Sequence, residues 1–360
     1  MVGEGTDFLP PDKMDATRRA SRGGAPAGSP RHVGGRALLG ALKVVAGVAL
    51  LWMALRGVDL PVILEAVGRM DARWLAVVAA TVFLGLAFKA LRWWLLLRPI
   101  LPGVSRRETF GALMTGQAFN LLGVFRAGDM VRAVWMASSA PIQLPAVLTG
   151  IVVEKAIDMI MLALALLIMV PVLPLDVPLA SQGPLLLALG GGALLAALLA
   201  IRFAPEAWGR LRGYLASRPG VMASRSVSLG DRLVAGFRQL RGLRGKGYLA
   251  LMTFLAWAAM LSTNMALARG LGIQIPLAAG LLVLVLVLLG VMPGLMPGQV
   301  GPIYFFARLG LEQFGVRPAE GVAYAALLHA AIVLPPTVGA AIYLLAGRWR
   351  VVRGLRRHPE

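Results

Sequence analysis

Long apolar stretches alternate with short polar ones along most of the chain. Ala37–Leu55, Trp74–Leu91, Ala146–Leu173, Leu185–Phe203, Tyr248–Leu267 and Gly321–Leu345 are each long and apolar enough to cross a bilayer as a helix. Two further apolar regions break their own pattern. Phe110–Phe125 runs into "NLLGVFRAGDMVR", and Pro276–Leu311 is interrupted by "MPGLMPGQVGP". Gly and Pro at that density cannot continue a regular helix. Broken backbone at membrane depth survives only where protein or a water-filled cavity covers it. The pattern predicts an all-α polytopic membrane protein of six full spans plus two broken or re-entrant helical regions, with eight ordinary spans as the competing count.

The polar stretches organise these elements. Residues 1–36 are rich in Gly, Pro, Ser and Arg without apolar periodicity, and read as a disordered cytoplasmic tail. The membrane domain then covers 37–346, followed by a basic tail, 347–360. Arg is dense in the loop 204–246 and in that tail, whereas "PVLPLDVPLASQGP" carries no Lys or Arg. Positive-inside bias puts the basic segments and both termini in the cytoplasm and the loop without Lys or Arg outside. These assignments agree only if each broken region enters and leaves on one side, the first from the cytoplasm and the second from outside. The halves 37–173 and 185–346 then have the same order of elements in opposite orientation, with Gly128 aligned to Gly301. Inverted repeats with broken helices at matching places mark transport pathways. Within the basic loop, Leu229, Leu233, Phe237 and Leu240 recur at helical spacing among Arg232, Arg238 and Arg241. This fits an amphipathic helix on the inner leaflet or a solvated linker helix.

Composition narrows the function classes. Of 360 residues, 58% are hydrophobic and 15% charged, too few charges for a soluble domain. The net charge of +19 is explained by basic loops facing anionic lipid, and no nucleic-acid recognition module accompanies it. The absence of cysteine excludes disulfides, thiolate metal sites and a Cys nucleophile. No nucleophile elbow, Walker loop or metal-ligand spacing occurs. The chain therefore reads as a non-enzyme without cofactor or metal, and any transport would be gradient-driven or downhill.

A few charged and special residues are candidates for chemistry, because charge inside a span is costly. Arg126 and Arg132, with Asp129 between them, sit beside a helix break. Guanidinium groups bind phosphate bidentately, and a broken helix offers unpaired N–H groups to the same anion. The alternative is that both are ordinary cytoplasmic markers. "VVEKAIDMI" puts Glu154 and Asp158 one turn apart with Lys155 beside them. They could pair with Arg126 or Arg132 around a polar chamber, or neutralise arginines near the interface. Pro293, Gly294, Pro297, Gly298 and Gly301 permit a tight turn or a simple kink. His329 and Asn264 fit ordinary interhelical hydrogen bonds.

Taken in order, "NLLGVFRAGDMVR", "VVEKAIDMIML" and "PGLMPGQVGPIYF" resemble the transmembrane region of the lysylphosphatidylglycerol synthase family over about residues 37 to 346. Asn120, Arg126, Gly128, Asp129 and Arg132 match its first motif, with Val124 where a Pro is expected. Glu154, Lys155 and Asp158 match the second. Pro297, Gly298 and Gly301 match the third, but Pro302 follows the glycine and Tyr304 stands in place of a Glu. His329 stands where the family tends to have Arg. The resemblance implies a bacterial inner-membrane, flippase-like protein without the soluble aminoacyl-transfer domain, and some relatives are associated with hopanoid lipids. It implies membrane lipids as partners and the matched residues, with Tyr304 and His329, as the substrate contacts; the departures imply an altered head-group preference. A membrane scaffold working with lipid-synthesis proteins, a lipid-modifying enzyme and a homo-oligomer stay open as other readings.

Overall fold

A computed structural model describes residues 33–122, 127–138, 144–173, 181–217, 245–292 and 297–345, with a few single positions between them. Every regular element among the described residues is helical: α1 (Val33–Leu55), α2 (Leu60–Gly68), α3 (Ala72–Leu97), α4 (Arg106–Leu122), α5 (Gly128–Ser138), α6 (Leu144–Val172), α7 (Gly183–Ala216), α8 (Lys246–Gly270), α9 (Leu277–Val291), α10 (Val300–Glu312) and α11 (Pro318–Tyr343). The chain divides into two units, residues 1–42 and 43–360. Of the first, only the opening turns of α1 are described; the other helices belong to the second.

Three of these helices, α3, α8 and α11, are each long and apolar enough to cross a membrane. The protein is an all-α polytopic membrane protein. The first apolar segment expected from hydropathy, Ala37–Leu55, lies within the continuous helix α1, and the chain bends sharply just after it. Ala41–Leu55 and Leu60–Gly68 form a pair bent by 76°, and Gly57 in the bend has φ +74°, a conformation that costs glycine little. The second is longer than expected, because α3 runs on to Leu97 through Lys89 and Arg92. At its start the Asp71 side chain caps the helix by accepting from the Arg73 backbone N–H at 2.9 Å. That bond holds the Asp71 carboxyl below its usual range.

The α3 and α8 helices pack antiparallel. The Asp71 backbone N–H donates to the Gly270 carbonyl at 3.0 Å, Thr263 donates to Thr81 at 2.9 Å, and Gly85 lies against Ala259. On either side of this pair the chain makes a helical hairpin from a broken region. Gly116 of α4 faces Gly128 and Arg132 of α5, while Asn120 reaches back to Gly128. In the second hairpin Gly290 meets Phe306, and Gly310 meets Val283, so α9 and α10 are also antiparallel. Each hairpin is followed by a long helix, α6 or α11. The order long helix, hairpin, long helix thus occurs twice, and its two opening members, α3 and α8, run in opposite directions.

Each half contributes most of one buried cluster, and further apolar residues of α6 pack across on α8 and α9. Leu86, Trp93, Leu113, Trp135, Met136 and Val147 are buried together in the first half. Leu267, Val283, Ile303, Leu311, Tyr324 and Leu328 are buried together in the second. Lipid is as apolar as leucine, so these cores are held by close packing and the small residues that permit it rather than by expulsion of water.

Candidate functional site

The α3, α5 and α6 helices bring a set of charges together deep in the first half. Helical spacing aims each pair at one partner: Lys89 and Arg92 on α3, Asp129 and Arg132 on α5, Glu154 and Asp158 on α6. Arg92 Nη1 donates to Asp158 Oδ1 at 2.6 Å and its Nη2 to Oδ2 at 3.2 Å. Arg92 also lies 3.5 Å from Glu154. Arg132 Nη1 donates to Glu154 Oε2 at 2.9 Å, and its Nη2 lies 3.0 Å from Asp129. Lys155 closes the network on Asp129 at 3.3 Å. Both guanidinium groups are nearly inaccessible, 1% exposed for Arg92 and 2% for Arg132, and Arg132 stacks over the Trp93 ring at 4.7 Å.

Such burial is tolerable only because the charges alternate. Two arginines share Glu154, so removing that one carboxylate would leave the buried cluster with an excess positive charge, Arg92 held by Asp158 alone and Arg132 by Asp129 alone. The break before α5 is tied to the same network. Asn120 Oδ1 accepts from the Gly128 backbone N–H at 2.9 Å, satisfying an open N–H at the helix start, and Asn120 Nδ2 points to Asp129 at 3.5 Å. Gly128 has no room for a side chain, since a Cβ there would lie 1.7 Å from the Gly116 carbonyl oxygen.

This network borders a chamber of about 290 Å³ between the halves. Its lining changes character from one region to the next. Lys89, Gln117, Asn120, Glu154, Lys155 and Asp158 supply polar atoms from the first half. Leu284, Val287, Val291, Ile303, Leu328 and Ile332 supply a largely apolar wall from the second, in which Thr263, Asn264 and Gln299 are uncharged polar members. Counting 1.5 Å per residue, Lys89 lies about 12 Å along the axis from the end of α3 at Leu97, too deep to be an interfacial marker.

The second break is built without charge. Gly298 has φ +73° and Gln299 φ +58°, and the His329 Nε2–H donates to the Gly298 carbonyl at 2.8 Å, which fixes the tautomer of the ring. Tyr304 stacks edge-on against His329, centroids 5.8 Å apart. A Cβ at Gly301 would lie 2.0 Å from the Gly47 carbonyl oxygen. Asn264, from α8, accepts from the buried Tyr324 hydroxyl at 2.5 Å and donates to Met260.

The sequence-predicted residues thus divide. Asn120, Gly128, Asp129, Arg132, Glu154, Lys155 and Asp158 form one cluster, and Pro297, Gly298, Gly301, Tyr304 and His329 form another, around the turn that opens α10. Arg126, Pro293 and the amphipathic segment around Leu229 lie outside the described residues. Arg92, the partner of Asp158, escaped the sequence reading, as did Lys89, Gln117 and Gln299. A signal for the first two was present in "FKALRWW": cations three residues apart inside an apolar segment, matching carboxylates four apart in "EKAID".

Paired charges beside a helix break, at the wall of a half-apolar chamber, invite comparison with known membrane families. The sequence model of the lysylphosphatidylglycerol synthase transmembrane region matches residues 40–340. The chain belongs to that family. The match spans both hairpins, both long pairs and every described residue of the charge network. No curated protein matches the chain. Within the lysylphosphatidylglycerol synthase transmembrane-region family, this member carries Tyr304 and His329 as neighbours at its second break.

Proposed function

We propose that the protein moves an amphipathic lipid between the leaflets of the bacterial inner membrane, with both termini in the cytoplasm and without catalysing a chemical step. The observation that carries this reading is the two-sided chamber. Buried charges of the first half supply a polar wall for a head group, and leucine, valine and isoleucine of the second supply an apolar one for a chain. A purely structural ion-pair cluster would not need an open space beside it.

The two halves offer a mechanism. Broken helices in matching positions let one half rock against the other around a central site. The seam available for such motion is the α3–α8 pair, joined by small residues and a Thr–Thr hydrogen bond. The test is translocation of head-group-labelled lipids in proteoliposomes, comparing wild type with Val287→Trp and Ala331→Phe, which fill the chamber. Protein-dependent movement that falls at least about tenfold in both folded variants, or about 1.4 kcal/mol in barrier, supports the pathway. Movement indifferent to both fillings places the path elsewhere, and no movement of any lipid favours a scaffold within a lipid-synthesis complex.

A further inference from the structure

Three polar side chains on the chamber wall have no hydrogen-bond or ion-pair partner among the described residues: Lys89, Gln117 and Gln299. Lys89 lies within electrostatic reach of Asp158, Glu154, Arg92 and Lys155. Those neighbours, however, are engaged with one another through the network, and with Asp129. Counting that network as Arg92, Arg132 and Lys155 against Asp129, Glu154 and Asp158, its charges already balance. Among the described residues lining the chamber, Lys89 is the cation left over.

Gln299 carries two costs at one position. It is 6% exposed, with its Oε1 buried and unbonded, and an unsatisfied buried polar group costs about 1–3 kcal/mol. Its backbone also sits at φ +58°, the left-handed region that costs a non-glycine residue about 1–2 kcal/mol. The turn cannot relax easily, because His329 holds the preceding carbonyl. Backbone strain and unmet polar groups persist together where a ligand offsets them. Glycine would remove the strain but would present no amide to the chamber.

We infer that Lys89, Gln117 and Gln299 form one subsite for a phosphate-type anion, Lys89 taking the charge, the carboxamide N–H groups donating to its oxygens and Gln299 Oε1 accepting from an adjacent ligand hydroxyl. This deepens the lipid reading and rests on it for the ligand's apolar part. It also reassigns the arginines. Arg92 and Arg132 are neutralised by carboxylates and shape the wall, while Lys89 makes the head-group contact and sets the preference for anionic over zwitterionic ligands.

The experiment measures retention of radiolabelled phosphatidic acid and phosphatidylcholine by the full chain in a neutral maltoside detergent, with and without millimolar inorganic phosphate. Wild type is expected to retain phosphatidic acid at least about tenfold better, a difference of one decade in Kd. Lys89→Gln should erase that preference without changing phosphatidylcholine retention, Lys89→Arg should keep it, and Gln299→Leu should weaken it severalfold. Melting curves confirm that each variant is folded, and Lys89→Arg guards against a fold defect at this position. Unchanged preference in folded Lys89→Gln would overturn the subsite. Displacement by phosphate would assign it to a free anion and overturn the lipid source, whereas resistance to phosphate supports that source. Because retention needs no transport, a preference lost in Lys89→Gln beside inactive proteoliposomes would leave the subsite standing and remove the transport reading. Translocation with no lipid preference at all would do the reverse.

Discussion

The two broken regions solve the same problem by different means. Both must stop a helix inside the membrane domain, turn, and start another without leaving backbone groups unpaired. In the first, side chains do this: Asn120 takes the Gly128 N–H, and Asp129 and Arg132 extend the contact into the buried charge network. In the second, the backbone does most of it. There is no charged residue between Gly270 and Ala307, and the turn relies on Gly298 and Gln299 in left-handed conformations and on His329 at one carbonyl. Both keep a glycine where another backbone oxygen leaves no room, Gly128 under Gly116 and Gly301 under Gly47. The shared glycines are demands of close packing. The unshared charges are what make one wall of the chamber polar and the other apolar.

Removing the shared carboxylate should separate the two regions most clearly. Glu154→Leu leaves Arg92 with Asp158 and Arg132 with Asp129, one buried carboxylate short of balance, and is expected to destabilise the protein by about 3–5 kcal/mol in denaturant titration. The paired replacement Arg92→Met with Asp158→Leu should cost far less than either single change, because it removes both charges together; a double variant costing the sum of the two single changes would show that the pair is not coupled. Next in size, Gly128→Ala and Gly301→Ala should each cost about 3 kcal/mol through backbone collision, and similar losses at the two sites would confirm that the glycines do one job in both halves. A smaller effect, about 1 kcal/mol, is expected for His329→Phe, which strands the Gly298 carbonyl. Smallest and opposite in sign, Gln299→Gly should raise stability by about 1 kcal/mol by relieving the left-handed backbone. It should also weaken retention of anionic lipid, the usual exchange where strain serves a site.

Much of this was legible from residue order. Hydropathy located the start of each long helix to within a few residues, since a bilayer demands about 20 apolar residues per crossing whatever the fold. It missed α2 and ended α3 and α7 early, at Leu91 and Phe203 against Leu97 and Ala216. Both breaks were visible because Gly and Pro act on their own backbone. The carboxylates Glu154 and Asp158 stood out because one helix fixes their relation. Partners across helices were harder. The expected span ended at Leu91, just before Arg92, since nothing local says that α3 continues through it. Only Asp158, 66 residues away, makes that continuation tolerable.

The sequence by itself determined that this is an all-helical membrane protein with two interrupted regions and misplaced charges, because those properties depend on local composition and period. Tertiary structure alone decided which charges are spent on one another and which remain for a ligand. Arg132, prominent in its motif, is consumed by Glu154 and Asp129, whereas Lys89, inconspicuous in an apolar run, faces the chamber without a partner among the described residues. Pairing is a matter of distance between helices, and no short-range pattern in the chain encodes that distance.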